Sequence, residues 1–487
     1  MLGYAYGATR HGADVQLIRV QADVGPGFPR FTMVGLPDSS VSEAKARVRS
    51  AFHHAGLPFP KGRITVNLQP AGVKKQGSWL DLAIAVAILR ASSALPSQDD
   101  PTIFVAELAL DGALIPQAGL TAIGLRMREE GWSSLCISAD QSLPWPLEEQ
   151  FRVVRAKHLQ DVVAELRHPR PSSERPSRQT AEGRWADGTC FPLVGHRVET
   201  RLLAICAAGR HALLLVGSPG VGKTTLADAF VHLLPDLTED EALEVAAWHE
   251  IVNPAYSFTL RPPVRRPHHT ASVRTLLGGG RFATPGEVTL AHRGILILDE
   301  FLEFSHAALN ALREPLDRGS LECMANGKPL VLPASFTLVA TTNPCPCGYR
   351  GYGDCTCPET EIRRYWSRCP GPVLDRIDII HHVNREVGQH VDVEPFHVWE
   401  KRVSTAAAIL ARCPRPGESA MTGAGQKALA RACERLRASE RDRQKIAMIA
   451  STIAALEGRD EVLAPDVDEA IIWRNPGFAS PVRNAMM

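Results

Sequence analysis

This chain of 487 residues lacks a charge imbalance. Lysine and arginine together number 54, and aspartate and glutamate together number 53, so the formal net charge is only +1. This balance excludes a protein whose whole surface is basic and attracts nucleic acid in that way. Any contact with nucleic acid must therefore come from a local patch or from a channel.

The chain also lacks a long hydrophobic run. The most apolar stretch, Leu80–Leu89, is too short to span a bilayer, which needs about 20 consecutive apolar residues. The first residues, MLGYAYGATRHGADV, show no basic stretch followed by an apolar core, so we expect no secretory signal. These absences predict a cytoplasmic protein with no membrane partner.

The length predicts about three domains, because one hydrophobic core serves about 100–200 residues. Residues 1–167 combine turn signals with short apolar runs such as Ile64–Leu68 and with a helix over Leu80–Ala91, which predicts an α+β domain. Residues 168–189 are rich in Pro, Ser, Arg and Gly and have almost no aliphatic side chains, so we interpret them as a linker.

Residues 190–393 alternate strand and helix patterns, which is typical of a parallel α/β sheet. Three continuous apolar runs have the character of strands buried on both faces; they are Ala212–Val216, Ile295–Leu298 and Phe336–Ala340. Residues 394–487 are rich in Ala and Arg and predict a helical lid, with the clearest helices over Gln426–Arg437 and Arg443–Leu456. The predicted fold class is therefore α/β, with an α+β domain in front of the parallel-sheet core.

A phosphate-binding loop follows the first of these strands and matches G-x-x-x-x-G-K-[ST] at every fixed position. Its glycines let backbone N–H groups turn toward phosphate oxygens, Lys223 neutralises the β- and γ-phosphate charge, and Thr224 offers its hydroxyl to Mg²⁺. The alternative is a chance glycine-rich turn, but the strand before it and the helix expected after it favour nucleotide binding. The predicted contact residues are Gly217, Ser218, Pro219, Gly220, Val221, Gly222, Lys223, Thr224 and Thr225.

Two carboxylates end the second predicted strand. Asp299 suits binding of Mg²⁺, and Glu300 suits activation of the attacking water. Acidic residues at a strand end are commonly structural, but their combination with the phosphate loop favours catalysis. Asn343, which follows the third strand, either reaches the γ-phosphate or the lytic water or caps a turn.

Phosphoryl transfer also benefits from a positive charge at the γ-phosphate, and in a ring this arginine can come from the neighbouring subunit. Arg376 is the candidate for that role. Arg441, at the entry to the helical region, is the candidate for sensing nucleotide within its own chain. Each is alternatively an ordinary surface arginine, and only its position after the core favours the functional interpretation.

Several long motifs resemble the ComM/YifB family, the magnesium-chelatase-like AAA+ ATPases. They are GGGRFATPGEVTLAHRGILILDE at Gly278–Glu300, RPHHT at Arg266–Thr270, NPCPCG at Asn343–Gly348, GPVLDRID at Gly371–Asp378, VGLPD at Val34–Asp38 and ITVNL at Ile64–Leu68. The likeness covers nearly the whole chain apart from the linker. This sequence departs from the family pattern at Phe301-Leu302, where Leu-Pro is expected, and at Lys445 and Ser451, where arginines are expected.

The resemblance implies a homo-oligomer that uses ATP and Mg²⁺, a hexameric ring that acts as a DNA helicase and promotes branch migration during natural transformation. It also implies a hairpin that projects into the pore, here at about Leu321–Pro333 with Asn326-Gly327 as a tight turn. Lys328 follows that turn and would grip a DNA phosphate, although a solvated turn lysine is the alternative.

The N-terminal domain resembles the S5-like proteolytic domain of Lon. On this interpretation Trp79 stands where the nucleophilic serine is needed, and Thr121 stands where its lysine partner is needed. Ser78 lies one position away and points to another face of the backbone. We therefore expect a proteolytically inactive domain that serves ring assembly or binds DNA or a partner.

Four of the eleven cysteines form a cluster on a glycine-rich loop, and they are Cys345, Cys347, Cys355 and Cys357. Four thiolates bind tetrahedral zinc well, and a reducing cytoplasm argues against two disulfides. Because the C-x-C spacing is tighter than the usual C-x-x-C, unmetallated structural thiols and redox pairing stay open as alternatives. His268 and His269 are either further ligands or residues with a structural or nucleotide-relay role.

The leading functional hypothesis is an ATP-driven motor on single-stranded or branched DNA. A metal-insertion or protein-remodelling ATPase is the second, and a Lon-like protease is a third that Trp79 and Thr121 argue against. The hydrolysis residues cannot separate the first two hypotheses, because both need them. The joining of a Lon-like domain to this core, together with Lys328, favours the DNA motor over the other ATPase functions.

Overall fold

The computed structural model describes residues 1–72, 74–75, 77–96, 102–169, 197–280, 284–325, 328–351, 353–384, 395–412 and 420–474. They form two units. The first unit comprises the described residues of Met1–Glu182, Glu239–Thr259 and Arg281–Thr284, and the second comprises those of Gly183–Thr238, Leu260–Gly280 and Pro285–Met487. Residues 239–259, which the sequence placed in the ATPase core, thus pack within the first unit. The division of the second unit into a core and a lid stays a prediction.

The N-terminal part of the chain is a mixed α/β segment. Its elements are β1 (Leu2–His11), β2 (Asp14–Gly25), β3 (Arg30–Val34), α1 (Ser39–His54), β4 (Arg63–Gln69), α2 (Asp81–Ala91), β5 (Thr102–Phe104), β6 (Glu107–Leu108), β7 (Leu114–Ile115), α3 (Leu120–Glu130), β8 (Ser134–Ser138), α4 (Trp145–Glu148), β9 (Arg152–Ala156) and α5 (Leu159–Arg167).

The middle of the chain alternates strands and helices. Its elements are α6 (Arg197–Gly209), β10 (Leu213–Val216), α7 (Lys223–Leu233), α8 (Glu239–Val252), β11 (Val264–Arg265), α9 (Val273–Leu277), β12 (Gly278–Gly279), β13 (Thr284–Pro285), α10 (Glu287–Leu290), β14 (Ile295–Leu298), a 3-10 turn (Phe301–Glu303), α11 (His306–Ala311), α12 (Arg313–Arg318), β15 (Ser320–Ala325), β16 (Lys328–Pro333), β17 (Thr337–Thr342), α13 (Glu359–Trp366), α14 (Gly371–Leu374) and β18 (Ile379–His382).

The C-terminal part of the chain is helical in its described residues, and its helices are α15 (Phe396–Arg412), α16 (Gly423–Leu436), α17 (Glu440–Leu456) and α18 (Ala464–Arg474). These helices share one hydrophobic core with the sheet of the second unit, through residues such as Leu215, Phe230 and Ile449. No helix among the described residues is long and apolar enough to cross a membrane.

A seven-stranded mixed sheet in the order β3-β4-β2-β1-β5-β8-β9 organises the first unit. The apolar run noted in the sequence forms α2, which is buried along its whole length and therefore needs no polar face. It lies so close to β1 that a Cβ on Gly3 would come within 2.3 Å of the carbonyl oxygen of Ala87. The close approach of this helix and the sheet thus requires glycine at that position.

Helix α8 completes a second core of the first unit, although it follows the phosphate-loop helix in sequence. Its residues Leu243 and Ala247 are buried in a cluster with Leu120, Ile123 and Met127 of α3. The apolar face of α8 is therefore buried against α3.

The second unit contains a five-stranded sheet in the order β11-β14-β17-β10-β18, in which every pair of neighbours is parallel. The predicted α/β fold class with its parallel sheet is confirmed. In such a sheet, the loops at the carboxyl ends of the strands form the ligand crevice where the order of strands reverses. The phosphate loop follows β10, which lies between β17 and β18.

The predicted hairpin at about Leu321–Pro333 is present, because β15 and β16 pair antiparallel with Ala325 opposite Lys328, whereas its projection into a pore stays a prediction. Asn326 and Gly327 lie outside the described residues, as does the side chain of Lys328. A contact of Lys328 with DNA thus stays a prediction.

Candidate functional site

The phosphate loop has the backbone conformation that its glycines allow. Gly220 and Gly222 both have positive φ angles, +77° and +99°, and α7 begins at the next residue, Lys223. Left-handed glycines followed by a helix turn successive N–H groups to the same side, which creates a concave surface for anions. Thr224 and Thr225, in the first turn of α7, are exposed.

Lys223 lies at the centre of this loop. Its Nζ donates hydrogen bonds to the carbonyl oxygens of Gly217 at 2.7 Å and Ser218 at 2.9 Å, and to Oδ1 of Asn343 at 3.1 Å. Burial lowers the pKa of this ammonium, while the negative charges of Asp299 and Glu300 oppose that shift. All three acceptors are neutral oxygens, so an incoming phosphate can replace them with a stronger, charge-assisted partner.

Asp299 and Glu300 follow β14 and are tied to the neighbouring strand β17. The hydroxyl of Thr341 donates to Oδ1 of Asp299 at 3.2 Å and accepts from the backbone N–H of Glu300 at 3.3 Å. Glu300 has φ +54° and ψ 47°, a left-handed conformation that glutamate rarely adopts. Strain of this kind persists where the surroundings impose it, and it is commonest at functional sites.

The sheet therefore brings four predicted groups to one edge: the phosphate loop, Asp299, Glu300 and Asn343. The link between them is direct, because Lys223 contacts Asn343 and is influenced electrostatically by both carboxylates. This arrangement can bind a polyphosphate, hold a divalent cation through a hydroxyl and a carboxylate, and position a water molecule beside a second carboxylate.

Two side chains of the motif Arg266–Thr270 contact the carboxylates of this site. Arg266 forms a hydrogen-bonded ion pair with Asp228 of α7 and lies 3.8 Å, Nε to Oδ2, from Asp299. His269 Nδ1 lies 3.2 Å from a carboxylate oxygen of Glu300. No role for Arg266 was predicted from the sequence, although the family motif that contains it was recognised, and the nucleotide-relay role of His269 stays a prediction.

Arg376 is held elsewhere in the second unit. Its guanidinium forms a bidentate ion pair with Asp317 of α12 and donates to the carbonyl oxygen of Pro372. The pKa of Asp317 is lowered, first by the hydrogen bond from Arg376 and further by the charges of Arg441 and Arg313. Arg376 is thus paired with Asp317 in this structure, and the charge of Arg441 is near enough to act on the same carboxylate.

Lys445, at a position where the family pattern predicts arginine, holds the segment that carries Arg376. Its Nζ donates to the carbonyl oxygens of Asp375 at 2.8 Å and Ile377 at 3.0 Å and pairs with Asp378 at 2.9 Å. Arg474 of α18 donates to the carbonyl oxygen of Ile377 as well. The C-terminal helices therefore fix the backbone on both sides of Arg376.

The four clustered cysteines come together in space. Their Sγ atoms all lie within 4.8 Å of one another. The separations are 3.3 Å from Cys345 to Cys347, 3.7 Å from Cys345 to Cys355 and 3.6 Å from Cys347 to Cys355, and none of these thiols is in a disulfide. Hydrogen bonds, first from the backbone of Tyr349, lower the pKa of Cys347 to about 6.

The two positions that the resemblance to Lon assigns to a peptidase dyad are buried in the first unit. Trp79 is 6% exposed and lies under the guanidinium of Arg10, 4.8 Å from its ring centroid. Thr121 is fully buried, and both its backbone N–H and its hydroxyl donate to the carboxylate of Glu250 in α8. The hydroxyl of Ser78, next to Trp79, donates to Glu107.

Family models match most of the chain. The model described as magnesium chelatase, subunit ChlI, matches residues 191–391. The model described as subunit ChlI of Mg-chelatase matches residues 20–141, and the one for the ChlI C-terminal region matches residues 400–474. These three regions include the phosphate loop, part of the N-terminal sheet and most of the C-terminal helical segment.

Known relatives extend this similarity to the full length. The chain is 34% identical over 497 aligned positions to "Competence protein ComM" of Haemophilus influenzae, covering 97% of each protein. It is 39% identical over 371 positions to "Uncharacterized protein YifB" of Escherichia coli, covering 76% of this chain and 73% of YifB. A magnesium-chelatase 67 kDa subunit of Chlorobaculum parvum is 26% identical over 132 positions, which is 27% of this chain and 19% of that protein. The chain belongs to the ComM/YifB family of magnesium-chelatase-like AAA+ proteins.

Proposed function

We propose that this protein is an ATP-dependent ring motor that translocates on single-stranded or branched DNA and promotes branch migration during DNA uptake. The observation that carries the proposal is the hydrolysis set at one sheet edge, in a chain that aligns over 97% of its length with a protein named for competence. Lys328, at the start of β16, is the proposed DNA-contacting residue.

The proposed cofactors are ATP and Mg²⁺ at the phosphate loop and Zn²⁺ at the cysteine cluster. The site fits a magnesium nucleotide: its loop is shaped for anions, the Thr224 hydroxyl is exposed, and Asp299 keeps one carboxylate oxygen outside its hydrogen bond with Thr341. Bound Mg²⁺ would neutralise charge that develops on the phosphates. Tetrahedral zinc suits four neighbouring thiols.

Each protein group then has a defined task in the proposed hydrolysis. Lys223 neutralises phosphate charge, Thr224 and Asp299 hold the cation, and Glu300 takes the proton of the attacking water. His269 contacts Glu300 and orients that carboxylate. Asn343, which already contacts Lys223, lies where it can reach the γ-phosphate or the water.

Arg376 and Arg441 require an assembled ring in this proposal. Arg376 completes the site of the neighbouring subunit, whereas Arg441 senses nucleotide in its own chain. Lys445 and Arg474 support this role for Arg376, because they fix the backbone that presents it. Size-exclusion chromatography with light scattering at micromolar concentration should show a hexamer in ATP and Mg²⁺, and a particle that stays monomeric would contradict the ring.

The first unit has no peptidase role in this proposal. Its Trp79 and Thr121 are buried, and the hydroxyl of Ser78 bonds a carboxylate instead of a lysine.

The cytoplasmic location also stays a prediction.

The experiment that tests the motor is an ATPase assay with and without forked DNA, paired with displacement of a labelled strand from a branched substrate. We expect stimulation by forked DNA and weaker stimulation by blunt duplex of equal length. Failure of DNA to stimulate turnover or to bind at low salt, where phosphate contacts are strongest, would contradict the DNA motor. ATP turnover without any DNA effect would favour the second candidate, a metal-insertion or protein-remodelling ATPase, which the magnesium-chelatase family models support.

A further inference from the structure

The cysteine loop lies directly against the phosphate loop. Gly348, one residue after Cys347, is buried and has φ +85°. A Cβ built on it would lie 2.6 Å from Cδ and 2.9 Å from Cγ of Pro219, the third residue of the phosphate-loop motif. These are ring atoms on a constrained backbone and cannot move aside as the end of a flexible side chain can. The backbone of the cysteine loop thus forms one wall of the nucleotide site.

The beginning of the same loop is also connected to the site. Asn343, whose Oδ1 accepts a hydrogen bond from Lys223, precedes Cys345 by two residues. Between them, the carbonyl oxygen of Pro344 accepts a hydrogen bond of 3.1 Å from the buried indole of Trp366. The loop therefore contacts the phosphate-binding residues at two places, Asn343 and Gly348, which lie on either side of its first two cysteines.

The cysteines have the geometry of one tetrahedral metal site. Zinc–sulfur bonds of about 2.3 Å place tetrahedral sulfurs about 3.8 Å apart. The separations among Cys345, Cys347 and Cys355, 3.3 to 3.7 Å, are close to that edge and far from the roughly 2.05 Å of a disulfide, and the sulfur of Cys357 lies within 4.8 Å of the other three. Three of the seven residues between Cys347 and Cys355 are glycines, at 348, 351 and 353, and glycine restricts the backbone less than any other residue.

We infer that zinc bound by the four cysteines sets the position of the phosphate loop, so that nucleotide affinity depends on the metal. Zinc holds the four cysteines together, and Gly348, next to Cys347, then supports Pro219. Without the metal, this support and the position of Asn343 are lost together. The inference rests on the proposed nucleotide and zinc binding, and it adds that one depends on the other.

Metal dependence is tested on the full-length protein without DNA, by elemental analysis and by anisotropy titration of a fluorescent ATP analogue with Mg²⁺. We expect about one zinc per chain in the wild type. The double variant Cys355→Ser, Cys357→Ser should lose zinc, keep its far-ultraviolet circular dichroism and bind the analogue about tenfold more weakly, as a displaced loop in a packed site would produce. Cys323→Ser, a half-buried cysteine of β15 outside the cluster, is the matched control.

The contact itself is tested by two glycine substitutions in the same loop. Gly348→Ala should keep zinc and weaken binding of the analogue by about tenfold, because the new methyl group displaces Pro219. Gly351→Ala is the control for backbone strain: its φ is +80°, and a Cβ there meets nothing within 4 Å. It should change the affinity by less than about twofold.

Three results would overturn the inference: wild-type protein that contains far less than one zinc per chain, a zinc-free double variant that binds the analogue normally, or equal effects of Gly348→Ala and Gly351→Ala. A wild type that fails to bind the analogue at all would instead contradict the proposed ATPase. A wild type that binds it but ignores DNA would contradict only the motor.

Discussion

The phosphate site of the second unit and the Thr121–Glu250 contact of the first unit both join a carboxylate to polar groups, but they differ in exposure. Asp299 and Glu300 keep 31% and 62% of their side chains exposed, whereas Thr121 is fully buried. Lys223 bonds neutral oxygens that a phosphate can replace. Thr121, in contrast, gives both of its donors to one carboxylate within the protein.

This difference separates a site that binds a ligand from a contact that holds two helices together. A ligand site needs charged groups whose present partners are weaker than the ligand. A structural contact needs polar groups that satisfy each other, because a buried donor without a partner is costly. Substitutions of Lys223 and Glu300 should therefore change nucleotide chemistry, and substitutions at Glu250 should change local stability.

Glu300→Gln should produce the largest effect. The amide keeps the shape of the side chain but cannot accept the proton of the attacking water, so we expect turnover to fall by about 10²–10⁴-fold with nucleotide affinity retained. Steady-state phosphate release, paired with analogue binding, measures both quantities. Glu303→Gln, in the 3-10 turn that follows Glu300 and paired with Arg368, should leave turnover within about twofold. Normal turnover in Glu300→Gln would remove Glu300 from the role of base.

Lys223→Ala should have the next largest effect, on binding. Removal of the ammonium takes away the only side-chain cation among the nine residues assigned to the phosphate loop, so affinity for the ATP analogue should fall by about a hundredfold. Thermal stability should change little, because the lysine bonds oxygens that water can also serve. The exposed Lys401 of α15 provides the control, Lys401→Ala. Unchanged affinity in Lys223→Ala would show that this loop is not the nucleotide site.

The parts of this comparison that the sequence predicted are those with strong local patterns. Ile295–Leu298 forms a strand over the same residues that were predicted, and the run predicted at Ala212–Val216 forms β10 from Leu213. Continuous apolar runs identify buried strands because both faces must avoid water. The phosphate loop was predictable for a similar reason, since its chemistry requires particular residues at particular spacings.

Contacts that depend on weak elements were missed. The segment that brings Arg266 to Asp228 follows β11, a strand of two residues, Val264–Arg265, which has no periodicity to detect. The packing of α8 in the first unit was also not predicted from the sequence. Leu243 and Ala247 indicate an apolar helix face, but a hydrophobic pattern does not identify the element that covers that face. Here that element is α3.

Glu250→Ala tests the structural half of the comparison. It leaves the N–H and hydroxyl of Thr121 without their acceptor in a buried place, so the free energy of local opening at α3 should fall by about 1–3 kcal/mol. Amide hydrogen exchange of peptides from Leu120–Glu130 measures this opening. Glu244→Ala, at an exposed position of the same helix α8, should change it by less than about 0.5 kcal/mol. Equal exchange in both variants would mean that the contact contributes nothing to holding α3.

The pH dependence of the same exchange gives the smallest and most specific effect. Burial raises the pKa of Glu250 above its ordinary value of about 4.3, although the bonds from Thr121 and the charge of Arg10 oppose that shift. The folded chain therefore binds this proton more tightly than the unfolded chain, and stability must fall as pH rises from the ordinary pKa to the raised one. Protection of α3, corrected for intrinsic exchange rates, should decline through that window in the wild type. In Glu250→Gln, which keeps one acceptor and cannot ionise, the decline should disappear, and a decline of equal size would place the titrating group elsewhere.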